Sequence, residues 1–161
     1  MDHIIDGLLW LSAVSVALMA GVYFSFSAFV MRSLDVIGMP SAMIAMQSIN
    51  RVIVRSAFLP LFFGSTALCC ILFTIMAFDT ARTGAVSVLT GSGVYVAGMF
   101  VITVVKNVPL NNALEATPAD SANADAMWRR YMREWVRWNH VRTISCIVAM
   151  VCLVLALCQR G

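Results

Sequence analysis

Trp128-Arg129-Arg130-Tyr131-Met132-Arg133-Glu134-Trp135-Val136-Arg137-Trp138-Asn139-His140-Val141-Arg142 runs without a break into residues 143–159, seventeen positions with no charged side chain. Arg160 closes the apolar run. Seventeen helical residues reach about 26 Å, short of a hydrocarbon core of about 30 Å. A span built on this stretch must draw Asn139, His140 and Arg142 toward or into the bilayer. Polar groups are costly at that depth and mark functional positions.

Working outward, the remaining chain reads the same way. Of 161 residues, 61% are hydrophobic and 12% charged, against roughly 45–50% apolar content in a soluble domain. Residues 8–31, 56–78 and 83–105 carry no charge, and each run is long enough to cross a bilayer with modest tilt. The expected fold is therefore all-α: one integral membrane domain over residues 1–161, an up-down four-helix bundle with spans at about 8–31, 56–78, 83–105 and 139–159. Asp2, His3 and Asp6 stand where a signal peptide would be basic, so the first span is read as retained.

The loops after the first and third spans, with the helix ends beside them, hold Arg32, Arg51, Arg55, Lys106, Arg129, Arg130, Arg133, Arg137 and Arg142. The other side holds only Arg82 and Arg160. The positive-inside rule then puts both long loops in the cytoplasm and both termini outside, with a bacterial inner membrane as the expected location. Each long loop is expected to contain a cytoplasmic amphipathic helix. The first follows Pro40 and covers residues 43–54. The second is capped by Thr117-Pro118-Ala119-Asp120, after Pro109 has ended the third span. On a helical wheel Arg129, Arg130, Arg133, Glu134 and Arg137 share one arc. Trp128, Tyr131, Trp135, Trp138, Asn139 and Arg142 share the other. Gly84, Gly91 and Gly98 recur every seven residues and predict close helix packing. The five cysteines all lie in spans with no Cys-x-x-Cys spacing, as small buried apolar side chains do.

Much chemistry is excluded. The chain has no glycine-rich phosphate loop, no paired intramembrane carboxylates, no nucleophile elbow and no zinc spacing. Its two histidines, His3 and His140, fall on opposite sides of the membrane. No metal site and no cofactor are therefore expected, Met1-Asp2-His3 being a chance copper-chelating pattern, and nothing points to nucleic acid. What remains is convergence at the basic end: Ser25 and Ser27 from the first helix, Asn50, Arg51 and Arg55 before the second, Asn107 and Asn111 after the third, and Asn139, His140 and Arg142 from the fourth. Tyr131 and Trp135 rim this cluster. Amide donors, guanidinium groups and one imidazole suit an uncharged aromatic molecule with phenol or ketone oxygens, arriving from lipid.

At these residues the chain resembles the anthrone-oxygenase-like family of small membrane proteins. The resemblance rests on Gly21-Val22-Tyr23-Phe24-Ser25-Phe26-Ser27, Ala45-Met46-Gln47-Ser48-Ile49-Asn50, the stretch from Val101 through Lys106-Asn107-Val108-Pro109-Leu110-Asn111, and Trp135-Val136-Arg137-Trp138-Asn139-His140-Val141-Arg142-Thr143. It implies a four-helix membrane bundle. It also implies the activity associated with characterised fungal members, the cofactor-free oxidation of anthrones to anthraquinones, although this chain is closer to the bacterial pattern.

Two readings follow. In the first, His140 is the base, Asn111, Asn139 and Arg142 hold an enolate oxygen, and Asn50, Arg51, Arg55, Asn107, Tyr131 and Trp135 bind the substrate. His140 points roughly 160° from Arg142 on an ideal helix, so either the helix bends or distorts there or His140 serves another face. In the second, the same pocket binds a lipid, a quinone or a partner subunit without catalysis. The expected partners are the bilayer and a small lipophilic aromatic molecule, with a homo-oligomer compatible with either reading.

Overall fold

The computed structural model describes residues 2–161, so Met1 and the amino-terminal part of the copper-chelating pattern lie outside the described residues. Every regular element among them is helical. The first span is α1 (Asp2–Ser25), a π-helical turn π1 (Phe26–Val30) and α2 (Met31–Val36) in one continuous rod. Gly38, at φ +92°, turns the chain into α3 (Met39–Ile53), a conformation that favours glycine. The second span is α4 (Phe58–Phe78). The third runs through α5 (Ala85–Tyr95), π2 (Val96–Val101), π3 (Thr103–Asn107) and α6 (Val108–Glu115), and the fourth is α7 (Ala124–Arg160). All four rods are long and apolar enough to cross a membrane.

The rods pack as a ring: first against second, second against third, third against fourth, and fourth against first. Paired contacts establish alternating directions. Asp6 meets Arg160 while Ser27 meets Thr143, and Gly84 meets Ala156 while Gly98 meets Ser145. The glycine stripe faces α7 along its whole length. A Cβ on Gly91 would stand 2.8 Å from Cys152 Cβ, and one on Gly98 would collide with the Ser145 side chain. Large apolar residues such as Leu18, Phe29, Phe73 and Leu155 point outward, as a lipid-facing surface requires.

Three details differ from the sequence expectation. Pro109 does not end the third span. It sits in the first turn of α6, directly after π3, where the missing N–H costs little. Thr117 does not cap a new helix: its hydroxyl donates back to Ala113 O at 2.9 Å, and α7 starts at Ala124. Residues 128–142 are not a separate amphipathic helix either. They are the first half of one uninterrupted 37-residue α-helix with no distortion at His140.

The buried side chains form two cores. One fills the bundle, with Leu9, Val16, Met19, Leu72, Met76, Val88 and Leu153. The other lies at the basic end, where Met31, Met43, Met46, Leu110, Leu114, Trp128, Tyr131 and Trp135 meet. Gln47 ties α3 to the end of α6 by donating to Leu114 O and Thr117 O at 2.8 and 3.0 Å. Both carbonyls lie at the end of α6, where intrahelical partners run out.

Candidate functional site

Along α7, Tyr131, Trp135, Asn139 and Arg142 fall on one buried face, the spacing of four, four and three that an α-helix brings together. Trp128, Tyr131 and Trp135 stack in series, with centroids 6.0 and 5.5 Å apart and planes within 18°. Trp135 is followed by the Arg142 guanidinium, 5.1 Å from its ring and 4.2 Å above that of Tyr23. Cation–π contact of this kind partly offsets the cost of dehydrating the charge.

Arg142 is only 4% exposed. Its Nη2 donates to Asn139 Oδ1 at 2.7 Å and its Nη1 to Thr103 Oγ1 at 3.4 Å. Asn139 is fixed in turn, because its Nδ2 donates to Tyr23 O at 2.8 Å and Ser27 Oγ at 2.7 Å. No carboxylate pairs with Arg142 among the described residues. Aspartates and glutamates at the basic end are turned to other partners: Asp35 accepts from Trp128 Nε1, Glu115 pairs with Arg51, and Glu134 with Arg130 and Arg133. A buried cation without a counter-ion is costly.

Beside this cation lies a cavity of about 230 Å³ at the seam between the two cores. Its polar groups come from Tyr23, Asn50, Thr103, Asn111, Trp135 and Arg142, and the rest of the wall is apolar, including Phe26, Phe58, Phe62 and Met46. Arg142 Nε and Trp135 Nε1 are buried without a hydrogen-bond partner. Asn50 Nδ2 is likewise buried without a hydrogen-bond partner, and the Tyr131 hydroxyl donates to Asn111 Oδ1 at 2.7 Å. Unmet buried donors cost roughly 1–3 kcal/mol each, and all three belong to residues of the cavity wall. Val54, Phe63, Val104 and Val108 also line the cavity and are strongly exposed, so it opens sideways onto the lipid-facing surface.

The cavity gathers Asn50, Asn111, Trp135 and Arg142 from the sequence-derived set. Asn139 and Tyr131 stand behind the wall, holding Arg142 and Asn111. Asn107 is also behind it, donating from Nδ2 to Trp135 O at 3.2 Å. Three members do not belong. Arg51 is exposed and paired with Glu115, Arg55 is exposed and away from the cavity, and His140 is exposed on the opposite side of α7. The physical reason for His140 is the straightness of α7, which keeps the ideal angle between residues 140 and 142. Tyr23 and Thr103 complete the site and were not singled out from sequence. Both lie within the quoted motifs as polar groups inside apolar runs. All three π turns cluster at this level, on the two rods that supply Tyr23 and Thr103; such turns frequently accompany functional sites.

Residues 55–152, more than half of the chain, match the family described as Anthrone oxygenase. The chain belongs to the anthrone oxygenase family. Thr103, Asn111, Trp135 and Arg142 lie inside the matched region, whereas Tyr23 and Asn50 precede it. No curated protein and no solved structure matches the chain.

Proposed function

We propose that this anthrone oxygenase family member oxidises a lipophilic phenolic or anthrone-type compound with molecular oxygen, without a cofactor. The observation that carries this reading is the buried Arg142, with no carboxylate partner among the described residues, on the wall of a largely apolar cavity that Trp135 also lines, the Arg142 Nε–H and the Trp135 Nε1–H both being unmet. The two donors suit an oxygen that becomes anionic during reaction, which is where preorganised donors accelerate most. A ring CH₂ conjugated to a carbonyl loses a proton to water to give an enolate, whose oxygen Arg142 and Trp135 hold. The enolate carbon passes one electron to O₂, the two radicals combine to a C–O–O⁻ group, and that group takes up a proton. Loss of water converts the carbon to a ketone, so CH₂ and O₂ become C=O and H₂O. The apolar wall accommodates the rings, and the lateral mouth admits them from lipid.

The test is oxygen uptake by purified protein with anthrone. Arg142→Leu should reduce it on the order of a hundredfold, the usual loss for one oxyanion donor, with folding retained. Wild-type uptake in this variant, or none by the unaltered protein across a phenol and anthrone panel, overturns the reading.

A second reading, a binder of a quinone or phenolate without turnover, is favoured by the exposure of His140, because the cavity wall then has neither imidazole nor carboxylate. A hydroxyanthraquinone probe separates the two. If its anionic absorption band appears on binding through Arg142 while oxygen uptake stays absent, the protein binds without catalysis.

A further inference from the structure

Away from the cavity, π3 and α6 meet α7 along a groove lined by Lys106, Pro109, Leu110, Arg130, Glu134 and Trp138. Its charge is unbalanced. Arg130 and Arg133 share the single carboxylate of Glu134, at 3.2 and 3.4 Å, while Lys106 and Arg137 make no ion pair among the described residues. These two flank one indole instead, Lys106 Nζ at 5.2 Å and the Arg137 guanidinium at 5.6 Å from the Trp138 ring. Lys106 is the only lysine in the chain and the only basic residue between Arg82 and Arg129.

We propose that this groove is a binding site for an anionic phospholipid, with its phosphate between Lys106 and Arg137 at the edge of Trp138. Depth supports a lipid over a free anion. Trp138 lies just before the charge-free run of α7, where indoles settle at the membrane interface. Exposed Val105 and Val101 continue from the groove along the third rod, one turn apart, and form an apolar track for an acyl chain. Excess basic charge at the interface attracts acidic lipid headgroups. The ligand class is a phosphodiester headgroup with net negative charge on a two-chain glycerolipid.

The experiment uses the whole protein, delipidated in neutral detergent and titrated separately with phosphatidylglycerol, phosphatidylcholine and soluble glycerol 3-phosphate. Phosphatidylglycerol should raise the melting temperature by several degrees, and the other two should leave it near its starting value. Lys106→Gln/Arg137→Gln should bring the phosphatidylglycerol increment down to that of phosphatidylcholine. Arg32→Gln/Arg129→Gln, which removes two exposed charges outside the groove, should keep it. Equal increments from the two lipids, or an undiminished increment in the Lys106/Arg137 variant, overturn the proposal. An equal effect of glycerol 3-phosphate makes the site one for free phosphate and overturns the lipid assignment. Native mass spectrometry of the unaltered protein gives a reading independent of variant folding: one phosphatidylglycerol should stay bound at collision energies that strip phosphatidylcholine, and equal loss counts against the site.

Discussion

Arg142 is the residue around which the others are arranged. Asn139 and Thr103 hold its two terminal nitrogens, two aromatic faces cover it, and Nε has no hydrogen-bond partner. Lysine carries the same charge but lacks the planar fork, so Arg142→Lys should fall between wild type and Arg142→Leu in oxygen uptake. Among the described residues the cavity wall has no imidazole or carboxylate, so under the proposed oxidation the ionisation of the substrate itself is limiting. Oxygen uptake should therefore rise with pH, and its midpoint should move down when a more acidic phenol replaces a weaker one. His140→Ala should leave both midpoints unchanged. A midpoint that stays fixed across substrates, and shifts in His140→Ala, would assign the proton to the protein. Arg142, Trp135, Asn111 and Asn50 were legible in the sequence because polar groups in apolar surroundings are few. Tyr23 and Thr103 were hidden because a single tyrosine or threonine in a span reads as ordinary packing.

At the scale of elements, the four charge-free runs located the spans, since hydrocarbon length and helical rise leave little freedom. The π turns were invisible for a related reason. Each adds a residue to one turn and shifts the faces on either side by about 100°, so the wheel pattern loses phase across residues 26–30 and 96–107. The same shift lets α6 begin anew with Pro109 in its first turn. The proline signal at Thr117-Pro118 placed a helix start some residues too early, α7 beginning at Ala124, and the straight course of α7 puts His140 on another face, the alternative to a bend. Helix packing is open to test. Gly91→Leu should lower the melting temperature in detergent sharply, because Cys152 and the backbone of Ala149 occupy the space. Gly64→Leu, with nothing within 4 Å, should leave it nearly unchanged. Equal melting in both would mean that the third rod does not bear on α7.

Across the whole molecule, charge is divided between the two ends. At the less basic end Arg160 reaches Asp6 at 2.7 Å, Asp2 at 3.5 Å and the Thr83 carbonyl at 3.3 Å, and Arg82 joins Asp2 at 3.0 Å. This network clasps the first, third and fourth rods together. Arg160→Ala should lower the melting temperature by a few degrees, at about 2–4 °C per kcal/mol for a chain of this size. The orientation expected from the basic asymmetry is open to test. A reporter fused after Gly161 should behave as external and one inserted near Ala122 as cytoplasmic, and the reverse pattern would turn the site to the other face of the membrane.

The cavity touches Tyr23 and Phe62 of the bundle core on one side and Met46 and Trp135 of the basic-end core on the other. An occupant is therefore mortar between two blocks. Filled, the blocks should open together in a single transition. Empty, the smaller block should loosen first, with amide exchange quickening across α3 and α6 while the bundle stays protected. Saturation of the site would then be readable from cooperativity alone, whatever chemistry follows.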